Sequence, residues 1–88
     1  MAIKTYEENG SDDNPHNGKT GVILVGFNTG TGTITLSHKV GTEDVTIDTF
    51  TASGGSQFVS PLGVLKVTAS GLSGDANITV NVAKLNEH

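Results

Sequence analysis

Residues 17–32 read NGKTGVILVGFNTGTG, and two folds compete for them. Gly18-Lys19-Thr20 ends the phosphate-loop pattern G-x-x-x-x-G-K-[ST], in which a strand leads into a glycine loop and a helix comes after it, its N-terminus cradling phosphates. A true match would make the chain an α/β nucleotide binder. Counting back five from Gly18 reaches Asp13, a carboxylate where the pattern needs glycine. Directly after Thr20 comes Gly21-Val22-Ile23-Leu24-Val25-Gly26-Phe27, a continuously apolar and β-branched run. Such a run reads as a buried strand. The residues before it are polar and include Pro15, so no strand leads in. The triplet is therefore read as a glycine-punctuated entry to a core strand, and no nucleotide or other cofactor is expected.

Outward from that strand the pattern is regular. Residues 28–32 make a tight connection in which two glycines are expected to supply positive φ. Over 33–40, Ile34, Leu36, His38 and Val40 share one face, and Thr33, Thr35, Ser37 and Lys39 the other. Val45 and Ile47 alternate against Asp44, Thr46 and Asp48, and the phase slips by one at Phe50, which predicts a bulge or a short crossover near Thr49. Residues 57–59 form a short strand stopped by the Pro61-Leu62-Gly63 turn. Leu65, Val67 and Ala69 face inward on the next strand, and Ile78, Val80 and Val82 on the last. Six or seven short strands with turns about every 8–12 residues predict an all-β fold, a small antiparallel β-sandwich or barrel. The expected core is Val22, Leu24, Phe27, Ile34, Leu36, Val45, Ile47, Phe50, Phe58, Leu65, Val67, Ile78, Val80 and Val82.

Composition agrees with that class. The 88 residues are enough for one domain, and a domain this small buries roughly 60–65% of its unfolded surface. Threonine (12), glycine (12) and serine (7) dominate, while strong helix formers are scarce. There is no cysteine, which removes disulfides and thiolate metal sites. Net charge is −4, and all five cations are lysines spread along the chain. Without arginine to grip phosphate or guanine, neither nucleic acid nor an anionic membrane is an expected partner. No apolar leader comes after Met1 and no apolar run approaches the ~20 residues that span a bilayer, so a soluble protein made in a reducing cytoplasm is expected.

Residues 1–19 differ from the rest. They carry Glu7, Glu8, Asp12 and Asp13, are broken by Gly10, Pro15 and Gly18, and offer little apolar surface beyond Ile3 and Tyr6. Taken alone, such a segment cannot offset its own ordering entropy. The expected organisation is an extended polar N-terminal arm over 1–19, which either packs on its own domain or, the favoured case, is held by a neighbouring chain, and a sandwich over 20–88. Ile3, Lys4, Tyr6, Asp12, Asp13, Pro15 and His16 are the arm residues expected to touch that partner.

Sites with chemistry of their own are not expected. His16, His38 and His88 show no metal-ligand spacing, and His38 reads as a partly buried histidine near a strand end. An EF-hand reading of Asp12-Asp13-Asn14 puts Asn17 where glycine is required and Ile23 where the closing glutamate belongs. No G-x-S-x-G occurs, and Glu43-Asp44 sits in a hairpin turn. No catalytic or metal-binding residue is assigned, and the chain is expected not to be an enzyme.

From Gly32 the sequence runs GTITLSHKVGTEDVTIDTFTASGGSQFVSPLGVLKVTASGLSGDANITVNV. This order resembles small structural proteins of tailed-bacteriophage virions. The pieces that carry the resemblance are the G-T-I-T-L strand at 32–36, the F-T-A-S-G loop at 50–54, the P-L-G turn at 61–63, the L-K-V-T-A-S-G segment at 65–71 and the alternating strand at 78–82. It departs where the hairpin often carries a tryptophan and this chain has Val45 or Ile47. The resemblance implies a non-enzymatic virion component assembled in the bacterial cytoplasm. It points first to a homotrimeric capsid decoration (cement) protein bound to the major capsid protein or another virion protein. A tail or fibre adhesion module for a host glycan or another tail protein is the alternative.

Overall fold

The computed structural model describes residues 2–16, 20–59 and 63–84, and within them the chain forms eight antiparallel strands. They are β1 (Ala2–Tyr6), β2 (Gly10–His16), β3 (Thr20–Thr29), β4 (Thr33–Val40), β5 (Glu43–Phe50), β6 (Gly54–Val59), β7 (Gly63–Ser70) and β8 (Asn77–Lys84). Two four-stranded sheets result, in the orders β1-β8-β3-β6 and β2-β7-β4-β5. The pairs nest: β4 with β5, β3 with β6, β2 with β7 and β1 with β8, alternating between sheets. A long hairpin folded at the β4–β5 turn and rolled up gives this order, which is the eight-stranded jelly roll. The all-β sandwich is as expected. Gly18, Lys19, Ser60, Pro61 and Leu62 lie outside the described residues, and Thr20 opens β3, a strand and not a helix.

The strand count exceeds the expected six or seven because residues 2–16 supply two strands. β1 pairs with β8 from Ala2↔Val82 to Tyr6↔Ile78, and β2 pairs with β7 from Gly10↔Ala69 to His16↔Gly63. In place of an arm over 1–19 beside a sandwich over 20–88, one sandwich includes the N-terminal strands. Composition judges the segment as if it had to bury apolar surface by itself. In a sheet, the ladders of β8 and β7 satisfy its backbone, and Tyr6, 4% exposed, supplies the apolar anchor.

In β3 the observed inward residues are Ile23 and Val25, with Phe27 packed at the margin. Val22 is half-buried and Leu24 is 51% exposed. This reverses the expected phase. Residues 22–25 are apolar on both faces, so alternation within them is silent. Register against β8 decides it, since Ile23 lies opposite Val82 and Val25 opposite Val80. Val45 is also removed from the expected core, at 50% exposed. The register shift falls opposite the Leu36/Ser37 step, where Asp48 faces Leu36 and Thr46 faces Ser37, so Ile47 is the extra residue rather than Thr49. Tyr6, Ala69 and Ala76 join the core, whose fully buried large side chains are Ile23, Ile34, Leu36, Leu65 and Ile78.

The connections 7–9, 30–32, 51–53 and 71–76 gather at one end; 7–9, 30–32 and 71–76 are tied to one another, and 51–53 is tied to β3. The Ser73 N–H donates to the Thr31 carbonyl at 2.9 Å, and the Ser73 hydroxyl accepts from the Thr31 N–H at 2.9 Å and donates to Asp75 at 2.8 Å. Asn9 accepts from the Leu72 N–H at 3.0 Å, and Ser53 from the Phe27 N–H at 2.9 Å. Gly30 has φ 78°. A Cβ there would also meet the Ala76 Cα at 2.5 Å. Gly32, expected to share the positive φ, instead makes room for Leu72, whose Cδ1 would lie 2.7 Å from a Cβ at that position.

These constraints set two stability outcomes. Gly30→Ala meets strain and a backbone clash together and is expected to cost about 2 kcal/mol or more, whereas Gly41→Asn, at φ 65° with open space around it, is expected to cost under about 1 kcal/mol; urea unfolding of both variants checks this. Deleting residues 2–16 removes an edge strand from each sheet and is expected to abolish the cooperative thermal transition, rather than leave a folded 20–88 domain.

Candidate functional site

β1 and β2 edge different sheets, so the bend at 7–9 carries the chain across one side of the sandwich. Period-2 alternation points Lys4 and Tyr6 inward on β1, opposite Val80 and Ile78, and Asp12 inward on β2, opposite Val67. The three meet between the sheets. The Tyr6 hydroxyl donates to the Asp12 carboxylate at 2.7 Å. Lys4 Nζ lies 3.9 Å from the same carboxylate and 5.9 Å from the Tyr6 ring centroid. Beneath them is a cavity of about 140 Å³ lined also by Asp13, Val67, Val80 and Val82. A larger space of about 510 Å³ is framed by residues 4–12 alone, the hollow of the bend itself.

Electrostatics make this edge a clasp. Burial pushes the Tyr6 phenol well above the ordinary tyrosine range, and the hydrogen bond to Asp12 and that carboxylate's charge add to the shift. The phenol thus stays protonated and works as a donor. The Lys4–Asp12 pair is half in water, at 59% and 48% side-chain exposure, and contributes little to stability.

Of the residues expected to contact a partner, Lys4, Tyr6 and Asp12 converge here. Asp13 stands opposite Lys66 in the β2–β7 register, and Pro15 and His16 stand opposite Val64 and Gly63; the side chains of Pro15 and His16 lie outside those described. Ile3 points the other way, onto the outer face of the first sheet, and is 63% exposed. His38 is 8% exposed inside the sandwich, and neither ring nitrogen has a partner among the described residues. His88 lies outside them. No group of three or more His, Cys, Asp or Glu side chains is placed to hold a metal among the described residues.

Sequence reasoning passes over the outer face of the first sheet. Register brings Ile3 and Thr5 of β1, Thr79, Asn81 and Ala83 of β8, Val22, Leu24 and Gly26 of β3, and Gly55 and Gln57 of β6 onto it. None of these is charged. Ile3 and Leu24 flank Asn81, and a Cβ on Gly55 would meet Leu24 Cδ2 at 2.6 Å, so Leu24 reaches across β6 where only glycine leaves room. Thr5 and Thr79 hydroxyls are 3.2 Å apart, and the Asn28 amide donates to Thr79 at 3.2 Å and to Asn77 at 2.9 Å, joining three strands across the face. The strands of the first sheet hold two charges, Lys4 and Lys84. Those of the second hold seven: Asp12, Asp13, Lys39, Glu43, Asp44, Asp48 and Lys66. The signal is present in the sequence, since residues 20–37 and 49–65 contain no charged residue.

The clasp has a direct readout, because Tyr6 is the chain's one tyrosine. The native protein is expected to form tyrosinate at higher pH than the urea-unfolded chain, near 10, and Asp12→Asn to lower that pH only partway, since burial remains; ultraviolet absorbance titration measures both. The unfolded state loses the phenol proton first, so this contribution to stability is full below about pH 10 and declines as pH rises above it. No family model, curated protein or solved structure matches the chain.

Proposed function

We propose that the chain is a non-enzymatic structural protein of a tailed-bacteriophage virion, a capsid decoration protein that binds the major capsid protein and stabilises the shell. The observation that carries this reading is the uncharged outer face of the first sheet on a protein of net charge −4. A sheet face left to water is ordinarily laced with charge, and the buried centres of protein interfaces are depleted in it. Ile3 and Leu24 stand out from this face at 63% and 51% exposure and would be its anchors. The contact expected of an arm thus moves to a rigid surface to which β1 contributes Ile3. Resemblance to phage virion proteins and the jelly roll, an architecture that viral capsid proteins use, are consistent with this role; lectins and cupins use it too, so the fold alone does not assign it. Many weak copies on a symmetric shell would gain by avidity.

A second reading has its own observation. Three of the four connections at one end are tied into a single surface, as a tail or fibre adhesion module would need for a glycan. Those connections carry no aromatic residue on which a sugar could stack, which favours the first reading.

Ile3→Asp with Leu24→Asp is expected to leave the far-ultraviolet circular dichroism spectrum unchanged and to lower occupancy on purified capsids at least tenfold. Thr49→Asp, on the second sheet, is expected to bind as the parent does. Full occupancy by the double variant overturns the assignment to this face. Copy number per particle separates the two readings, hundreds marking shell and a handful marking tail.

A further inference from the structure

Each sheet has two edge strands, and an unprotected edge is a template for another strand. Three of the four edges carry devices that discourage pairing. β1 has Lys4 in an inward-phase position. β2 has Asp12, Asp13 and Pro15. β5 has Glu43, Asp44 and Asp48 and a register shift. β6, with the sequence GGSQFV, has no charge, no proline and no register shift against β3. Its neighbour β3 is uncharged as well.

We propose that β6 is a pairing edge and that its occupant is a second copy of this chain, joined by antiparallel β6–β6 pairing about a two-fold axis. The charge distribution argues for a second copy. Each molecule carries a net −4, and two identical acidic molecules can approach edge to edge with least repulsion where the edge has no charge of its own. Alternation fixes the registers that are allowed, because residues opposite one another must share a face. Gly55 and Gln57 both point to the outer face, so an axis through Ser56 sets Gly55 of one copy against Gln57 of the other. The first sheets then join into one eight-stranded sheet, and the two uncharged outer faces become continuous. This pairing closes at two subunits, where the family resemblance implies three. It stands apart from the capsid reading, since it concerns the edge and not the face. A six-residue edge contact falls well short of the ~800 Å² per partner of a stable interface, so the pair is a weak one in solution.

The test uses the full 88-residue chain. Sedimentation equilibrium from micromolar to millimolar concentration is expected to show a monomer–dimer equilibrium, with amide exchange slowed at Gly55 and Gln57, whose N–H groups point away from β3, as the dimer forms. Gln57 points to the outer face, so either sign of charge is expected to leave the melting temperature unchanged. Gln57→Lys and Gln57→Glu should each weaken association about threefold or more, because two like charges then stand diagonally across the axis, within reach of each other. A general net-charge effect would instead make lysine strengthen the dimer and glutamate weaken it. Thr46→Lys on β5 should leave it unchanged or slightly stronger. A monomer throughout the range, a trimer, opposite effects of the two Gln57 variants, or equal weakening by Thr46→Lys would each overturn the proposal. The capsid reading survives all four, because occupancy on particles is measured separately.

Discussion

Everything in this sandwich hangs on two strands that sit between neighbours, β8 in the first sheet and β7 in the second. On β8, Ile78 faces Tyr6 and Phe27, Val80 faces Lys4 and Val25, and Val82 faces Ala2 and Ile23. On β7, Ala69 faces Gly10 and Ile34, Val67 faces Asp12 and Leu36, and Leu65 faces Asn14 and His38. Each template has three inward apolar residues, and sliding a neighbour by one position would turn that neighbour inside out. The N-terminal strands have almost no apolar content with which to find their own place. They are positioned by the last third of the chain, so the two ends order each other. Contacts so distant in sequence carry a large closure entropy, and a fold made of them forms slowly compared with one of local contacts.

That dependence explains which elements are legible in the sequence. β4, β7 and β8 alternate cleanly, and alternation alone finds their inward residues Ile34, Leu36, Leu65, Val67, Ala69, Ile78, Val80 and Val82. β3 is recognisable as a strand, but its phase is not. Val22 through Val25 are apolar on both faces, and Phe27, which shares parity with Ile23 and Val25, is the available clue. The N-terminal strands are hidden for a deeper reason. Hydrophobicity of a segment measures what it can bury alone, and an edge strand needs only a ladder and one anchor. Lys4, Tyr6 and Asp12 stand out in the sequence one by one, yet their meeting is not foreseeable, because it requires that β1 and β2 enter different sheets. Ile3 stands out for the right property, exposed and apolar, but the object that carries it is a sheet face and not a free arm.

The two sheets divide the surface chemistry between them. Charge is concentrated on the second sheet, where Lys66 and Asp44 approach to 3.5 Å and Asp13 lies opposite Lys66. That outer face is suited to water and repels like copies. The first sheet replaces charge with threonine and asparagine hydrogen bonds between strands, which hold side chains in place without attracting a hydration shell as strong as an ion's. A surface of this kind is less costly to dry than a charged one and is already ordered before contact. Both properties favour association by preorganisation rather than by sheer area.

Asn81 carries the same logic to a single atom. It lies in register between Ile3 and Leu24 on the outer face, and its Oδ1 is shielded from water with no hydrogen-bond partner among the described residues. A shielded, unpaired acceptor costs on the order of 1–3 kcal/mol. Because the isolated molecule already bears that cost, covering the face with a partner adds no new desolvation at this atom. His38 bears a similar cost inside the sandwich, with neither nitrogen paired among the described residues and no prospect of relief by contact at the surface. The two differ in what they can do. The penalty at His38 only lowers stability, whereas the one at Asn81 is incurred during folding and so leaves the aliphatic anchors beside it free to contribute their burial to binding.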